Sequence, residues 1–293
     1  MPSTSSADEL YQRALAFYRA ENYPRCREAV EQALAADPQN VACLILKGMA
    51  LTQLGEMDEA IETLRQATRA APADAEAWRQ LGITLMTDGE LKEAAEAFGV
   101  TLRHRPDDVP VLIDLGNVLF TLGHPQEAIQ TLERARRLRR GDLAILRNLA
   151  DMYVAASQPE PALEVIREIL ELRPEDVLAL CDAAWLYLQL HRLDEAAAAF
   201  RALRRIDAEG EHELYAVHGL VMTEIRRRNW RKALDLAIEA TRLDRYEFTT
   251  TLLAFISGRL FGKTGGEVTE KELNAHFETE HRAHRRLHAE AGD

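Results

Sequence analysis

The sequence predicts an all-α chain of stacked antiparallel helix pairs, and three observations predict it. Pro38, Pro72 and Pro106 stand 34 residues apart, with Pro174 two further periods on, a spacing that marks an array of helical hairpins. Within each period small residues return at fixed places, and the apolar residues between them follow the i, i+3, i+4, i+7 pattern of an amphipathic helix, as in Trp78, Leu81, Gly82 and Leu85. The composition is 47% hydrophobic but only 6% aromatic, with Ala and Leu dominant, which suits helix-on-helix packing and excludes a wholly disordered chain.

After a polar leader at 1–6, the first unit opens at Ala7. The chain then divides without gaps into 7–40, 41–74, 75–108, 109–142, 143–176 and 177–210. The eighth position holds Ala14, Gly48, Gly82, Gly116, Ala150 and Ala184, and the twentieth holds Cys26, Ala60, Ala94, Ala128, Ala162 and Ala196. Small side chains there let two helices approach closely, while Val30, Leu64, Phe98, Leu132, Ile166 and Phe200 at position 24 fill the space beside them. Gly55, Gly89 and Gly123 break the hairpin between its two helices. Pro24, Pro125, Pro159 and Pro161 fall in or just before the first turn of a second helix, where a missing N–H costs little. Arg140 and Ala208 replace the closing proline of two units, but Gly141 and Gly210 follow and can end the helix instead.

Residues 211–245 read as a seventh, irregular unit, because Ala233 comes three residues later than the strict period places it. Residues 246–261 read as an apolar helix able to cap the exposed end of the last hairpin. In 262–293, Gly262 to Gly266 form a flexible break, followed by a charged, His-rich helix or partly disordered tail.

Trp78, Leu81, Gly82, Leu85, Ala94, Phe98 and Pro106 of the third unit resemble the tetratricopeptide repeat nearly completely. The first unit departs from the pattern, with Arg13 and Cys26 in place of the usual residues. The resemblance implies a right-handed superhelical solenoid of helix pairs, with a concave groove lined by the first helix of each pair. Carried onto this sequence, the groove positions give Ile45, Leu46, Met49, Ile83 and Met86, edged by Arg79 and Gln80. Ile113, Asp114, Asn117 and Phe120 follow, then Arg147, Asn148 and Asp151, then Cys181, Asp182 and Trp185. Apolar side chains on such a face suggest a docked partner segment, and amides such as Asn117 and Asn148 can pair with the backbone of any peptide. The alternatives are a terminal helix of the chain itself filling the groove, or tight curvature burying these side chains against each other. Tyr11, Leu15, Ile45 and Met49 stand where a carboxylate clamp needs polar groups. The expected function is a non-enzymatic interaction scaffold for a peptide or helix of another protein, with self-assembly through the terminal units or tail as the second reading.

A net charge of −12 argues against a chain built to coat nucleic acid or an anionic membrane. The arginine clusters 134–140, 201–205 and 226–228 form no single track and read as solvated helix ends or an acidic-partner contact. Ser257 to Thr264 looks like a phosphate-binding loop, but the required first glycine is Ser257 and a helical pattern precedes it. His281, His284 and His288 share a helix face among arginines, a poor place for zinc. No metal, cofactor or catalytic constellation is expected. Cys26, Cys43 and Cys181 form no CxxC pair and read as buried thiols of a reducing compartment. With no basic-then-apolar leader and no long apolar window, the chain reads as soluble and cytoplasmic unless a leader precedes it.

Overall fold

The computed structural model describes residues 7–206, 211–243, 247–261 and 269–291, and no strand occurs among the described residues. The chain separates into two compact units, Met1–Asn148 and Leu149–Asp293. The first contains the pairs α1 (Ala7–Arg19) and α2 (Tyr23–Ala36), α3 (Val41–Leu54) and α4 (Met57–Ala70), α5 (Ala75–Asp88) and α6 (Leu91–His104), and α7 (Val109–Thr121) and α8 (Pro125–Leu138). The division falls within α9 (Leu143–Ala155). The second unit continues with α10 (Pro159–Leu172), the pairs α11 (Val177–Gln189) and α12 (Leu193–Ile206), and α13 (Glu211–Arg226) and α14 (Trp230–Leu243), then α15 (Glu247–Phe261) and α16 (Glu270–Ala291).

The period sets each helix start and each reversal. Asn40, Asp74, Asp108, Asp142 and Asp176 open α3, α5, α7, α9 and α11, and each side-chain oxygen accepts an N–H from two or three residues ahead. Such caps stabilise a helix by about 1 kcal/mol. The reversals sit at Glu21, Gly55, Gly89, Gly123, Ser157 and His191, all with positive φ, and the last hairpin uses Arg228. Glycine takes this left-handed conformation freely, whereas the other four residues are held there by their helices. The late Ala233 has a simple cause: α13 is 16 residues long where α11 is 13, and Ala233 still reaches full burial.

Second-helix side chains pack directly on first-helix backbone. A Cβ on Gly82 would lie 2.6 Å from Phe98 Cε1, and one on Gly48 would lie 2.4 Å from Leu64 Cγ. In the second unit, Phe200 of α12 packs instead on the first helix of the next pair, where a Cβ on Gly219 of α13 would lie 2.2 Å from the ring. Ile45 and Leu46 do not line a groove. Leu46, 2% exposed, joins Ala14, Cys26 and Val30 in the core between the first hairpins, and Ile45 packs with Ala67 and Ala77. Hairpins meet so closely here that residues in these positions become core. All three cysteines are free and buried; burial pushes the Cys26 thiol up to about 11 and raises that of Cys43 as well. At the far end Trp230 of α14 meets Phe255 of α15 edge-on, at 6.1 Å between ring centroids.

Candidate functional site

In the first unit, α5 and α7 present Ile83, Met86, Ile113 and Phe120 half-buried. Ile83 and Met86 rest on the cluster of Leu81, Leu85 and Phe98, and Ile113 rests on Val109 and Leu112. Charged groups edge this face. The Arg79 guanidinium grips both carboxylate oxygens of Glu76, at 3.1 and 2.7 Å, while Gln80 and Arg105 approach the same carboxylate at 2.8 and 3.4 Å. Burial opposes ionisation of Glu76, but these partners outweigh it and hold its carboxyl below the usual range. Asp114 goes the other way: burial pushes its carboxyl up, only partly offset by Arg79. The exposed Asn117 accepts from Asn148 Nδ2 at 3.5 Å, and Arg147 lies half-buried beside them in sequence.

The second unit is arranged differently. Asp182 and Trp185 do not face an open trough, because α16 lies over them, whereas Asp151 stays exposed and meets α16 through Arg285. Trp185 is 7% and Asp182 9% exposed, and Cys181 beside them is buried. Phe277 of α16 stacks on Tyr215 of α13, at 5.4 Å between centroids and 12° between planes, and tilts against Trp185 at 5.5 Å. One turn on, His281 stacks on Trp185 and its Nδ1 lies 2.8 Å from the Tyr215 hydroxyl. Asp182 meets His281 Nε2 at 3.4 Å and Arg285 Nε at 3.0 Å, and Arg285 also pairs with Asp151. Burial alone would lower the Arg285 pKa, but these two carboxylates raise it, while burial lifts Tyr215 well above an ordinary phenol.

A second polar cluster ties α16 down. His218 of α13, 1% exposed, meets Glu280 at 2.6 Å through Nδ1 and Thr249 of α15 at 2.8 Å through Nε2. A carboxylate only accepts, so Nδ1 carries a proton toward Glu280. Arg226 donates to Asn274 at 3.0 Å and to the Leu188 carbonyl. The sequence reading missed Tyr215, His218, Phe277 and Arg285. The signal was the four-residue spacing of Leu273, Phe277, His281 and Arg285 on a helix that otherwise looks solvated.

The arginine clusters mostly brace neighbouring helices. Arg134 reaches the Pro106 carbonyl and Asp107, Arg204 pairs with Glu213 and Glu239, and Arg227 joins Glu224, Asp194 and the Leu193 carbonyl. Ser257 to Phe261 end α15, while Gly262, Lys263 and Thr264 lie outside the described residues, as do the side chains of His284 and His288. No group of three metal-type ligands occurs among the described residues, and no described helix is long and apolar enough to cross a membrane.

Helical hairpins in register, with first-helix faces that either stand half-buried or clasp another helix, define a repeat scaffold for recognition. One tetratricopeptide repeat family model matches residues 11–75, 58–109 and 149–211, and a second such model matches 85–152. The chain belongs to the tetratricopeptide repeat family, whose fold is the right-handed superhelical solenoid of antiparallel helix pairs. No curated protein matches the sequence. Among solved structures, it is similar to the C-terminal part of a tetratricopeptide repeat-containing protein from Cytophaga hutchinsonii, at 17% identity and a TM-score of 0.68 over 83% of this chain and 99% of that one. It is also similar to YrrB, described as a tetratricopeptide protein with an unusual peptide-binding site, at 22% identity and a TM-score of 0.56 over 66% and 97%. PilF of Pseudomonas aeruginosa follows at 20% and 0.55, over 68% and 91%.

Proposed function

We propose that the protein is a non-enzymatic interaction scaffold that holds a peptide or helical segment of a partner protein against the α5–α7 face of its first unit. One observation carries this reading: α5 and α7 leave Ile83, Met86, Ile113 and Phe120 half-buried, on the same helices as the Asn117 amide, bonded to that of Asn148, and the Arg79 and Asp114 charges. Apolar anchors ringed by adaptable polar groups suit a bound chain segment. The peptide-binding site named for YrrB supports the same use of the fold, and the three free thiols suit a cytoplasmic setting.

The test is a photocrosslinker placed at Asn117, compared with one at the exposed Glu96 of α6. A defined partner captured at 117 alone, and lost in a Phe120→Ala, Asn148→Ala variant of unchanged helical content, is the expected result. Equal capture at both positions, or capture indifferent to the substitutions, would refute this face as the docking surface.

A further inference from the structure

The second unit carries a different recognition surface, independent of the one proposed above. We infer that the α11–α13 face is a helix-recognition site whose resident ligand is the chain's own α16, and that its outside partner is an amphipathic helix bearing Phe, His and Arg at successive four-residue intervals. On α16 that column is Phe277, His281 and Arg285, preceded by Leu273. Four-residue steps keep side chains on one slowly winding stripe of a helix.

Three features set α16 apart from a core helix. First, its apolar contribution among the described side chains is Leu273 and Phe277, whereas most of α11 is buried. Second, the face beneath it presents polar groups that α16 engages one by one: Tyr215 takes His281, Asp182 takes His281 and Arg285, and His218 takes Glu280. Buried polar groups that demand named partners discriminate between ligands far more strongly than apolar area does. Third, the fit is incomplete. A solvent-open recess of about 530 Å³ runs between α16 and the α9–α11 side, bounded by Ser157, Gln189, Glu278 and Arg282. Glu280 Oε2 is also buried without a hydrogen-bond partner. A docked segment that neither fills its seat nor satisfies all its own atoms leaves room for a better one.

A face occupied in cis binds an outside helix with an affinity reduced by the fraction of chains in which the tail is open. The probe is a fluorescent synthetic peptide of residues 269–291, titrated by anisotropy against the full-length chain and against a full-length Phe277→Ala, Arg285→Glu variant. The variant is expected to bind the peptide at least about tenfold more tightly than the wild type, and a peptide carrying the same two substitutions is expected not to bind. Hydrogen exchange on the wild type supplies a check that needs no variant to fold: α16 amides should exchange at least about tenfold faster than those of α11 and α13. If the variant loses its helical signal, that exchange result decides alone. Exchange of α16 as slow as that of α11 and α13, or equal peptide binding by wild type and variant, would overturn the inference. So would tail-dependent dimers of the wild type, since they would make a second copy the partner. Phe120→Ala, Asn148→Ala substitutions should leave peptide binding unchanged, which separates this result from any failure of the first-unit proposal.

Discussion

His281 lies nearly parallel to the indole of Trp185, with 5.0 Å between ring centroids and 15° between planes. That placement brings both imidazole nitrogens into use. Asp182 only accepts, so Nε2 carries a proton toward it, while Nδ1 shares a hydrogen bond with the Tyr215 hydroxyl. His281→Ala should lower stability by about 1–3 kcal/mol, since it removes the imidazole that bonds the buried Tyr215 hydroxyl and stacks on Trp185. Tyr215→Phe in the His281→Ala background should cost less than in the wild type, with a coupling of about 1 kcal/mol. Urea unfolding of the four proteins measures it; additive losses would show that the two groups do not interact.

Two glycines of the same hairpin predict opposite responses. Gly82→Ala places a methyl 2.6 Å from the Phe98 ring and should cost about 1–3 kcal/mol. Gly99 lies within α6 with nothing inside 4 Å of a built Cβ, so Gly99→Ala should stabilise by up to about 1 kcal/mol. Thermal unfolding of both variants checks the pair, and equal shifts would contradict the packing described.

The hairpin reversals predict a gain by substitution. Ser157 and His191 hold φ of 56° where Gly55 holds 78°. A side chain in that conformation costs roughly 1–2 kcal/mol, partly offset by the chain entropy glycine loses. Ser157→Gly and His191→Gly should each raise stability by about 0.5–1 kcal/mol, and Gly55→Ala should lower it by about 1 kcal/mol. Denaturant midpoints will show whether the signs are right.

Glu76 predicts a pH dependence. Its folded pKa lies below the ordinary 4.5 because Arg79, Gln80 and Arg105 outweigh burial. The stabilisation is therefore fully present above the unfolded value and is lost as pH falls through the folded one. Glu76→Gln should lower the unfolding temperature near neutral pH, and the two proteins should converge as pH falls through the folded value of Glu76. A gap that persists in acid would assign the effect to packing.

The repeat was legible because its contacts are local: each hairpin meets its sequence neighbours, so Gly82 with Phe98, or the Asp108 cap with Val111, leaves a mark at the same place in every period. The caps at Asn40 to Asp176 follow that period too, but proline and glycine are the louder punctuation. Leu46 was misread because a family position says which helix face a residue occupies, not how closely the next hairpin approaches it. A terminal helix filling the groove stood among the alternatives, but the particular contacts of α16 were hidden for a different reason. Tyr215 with His281, and Arg285 with Asp151, join residues 66 and 134 positions apart. Such contacts occur once and repeat nowhere, so no periodicity records them. In the sequence the histidines drew attention to a metal-like stripe, whereas the stripe that docks is the one through Phe277.

The sealed thiols have a practical consequence. With its pKa near 11, Cys26 is ionised in only about one molecule in ten thousand at neutral pH, and Cys43 and Cys181 are shielded by burial. A maleimide dye should therefore ignore the native chain and react with any cysteine engineered onto its surface, so that paired fluorophores could follow the tail's departure in real time without first stripping the protein of its own sulfur.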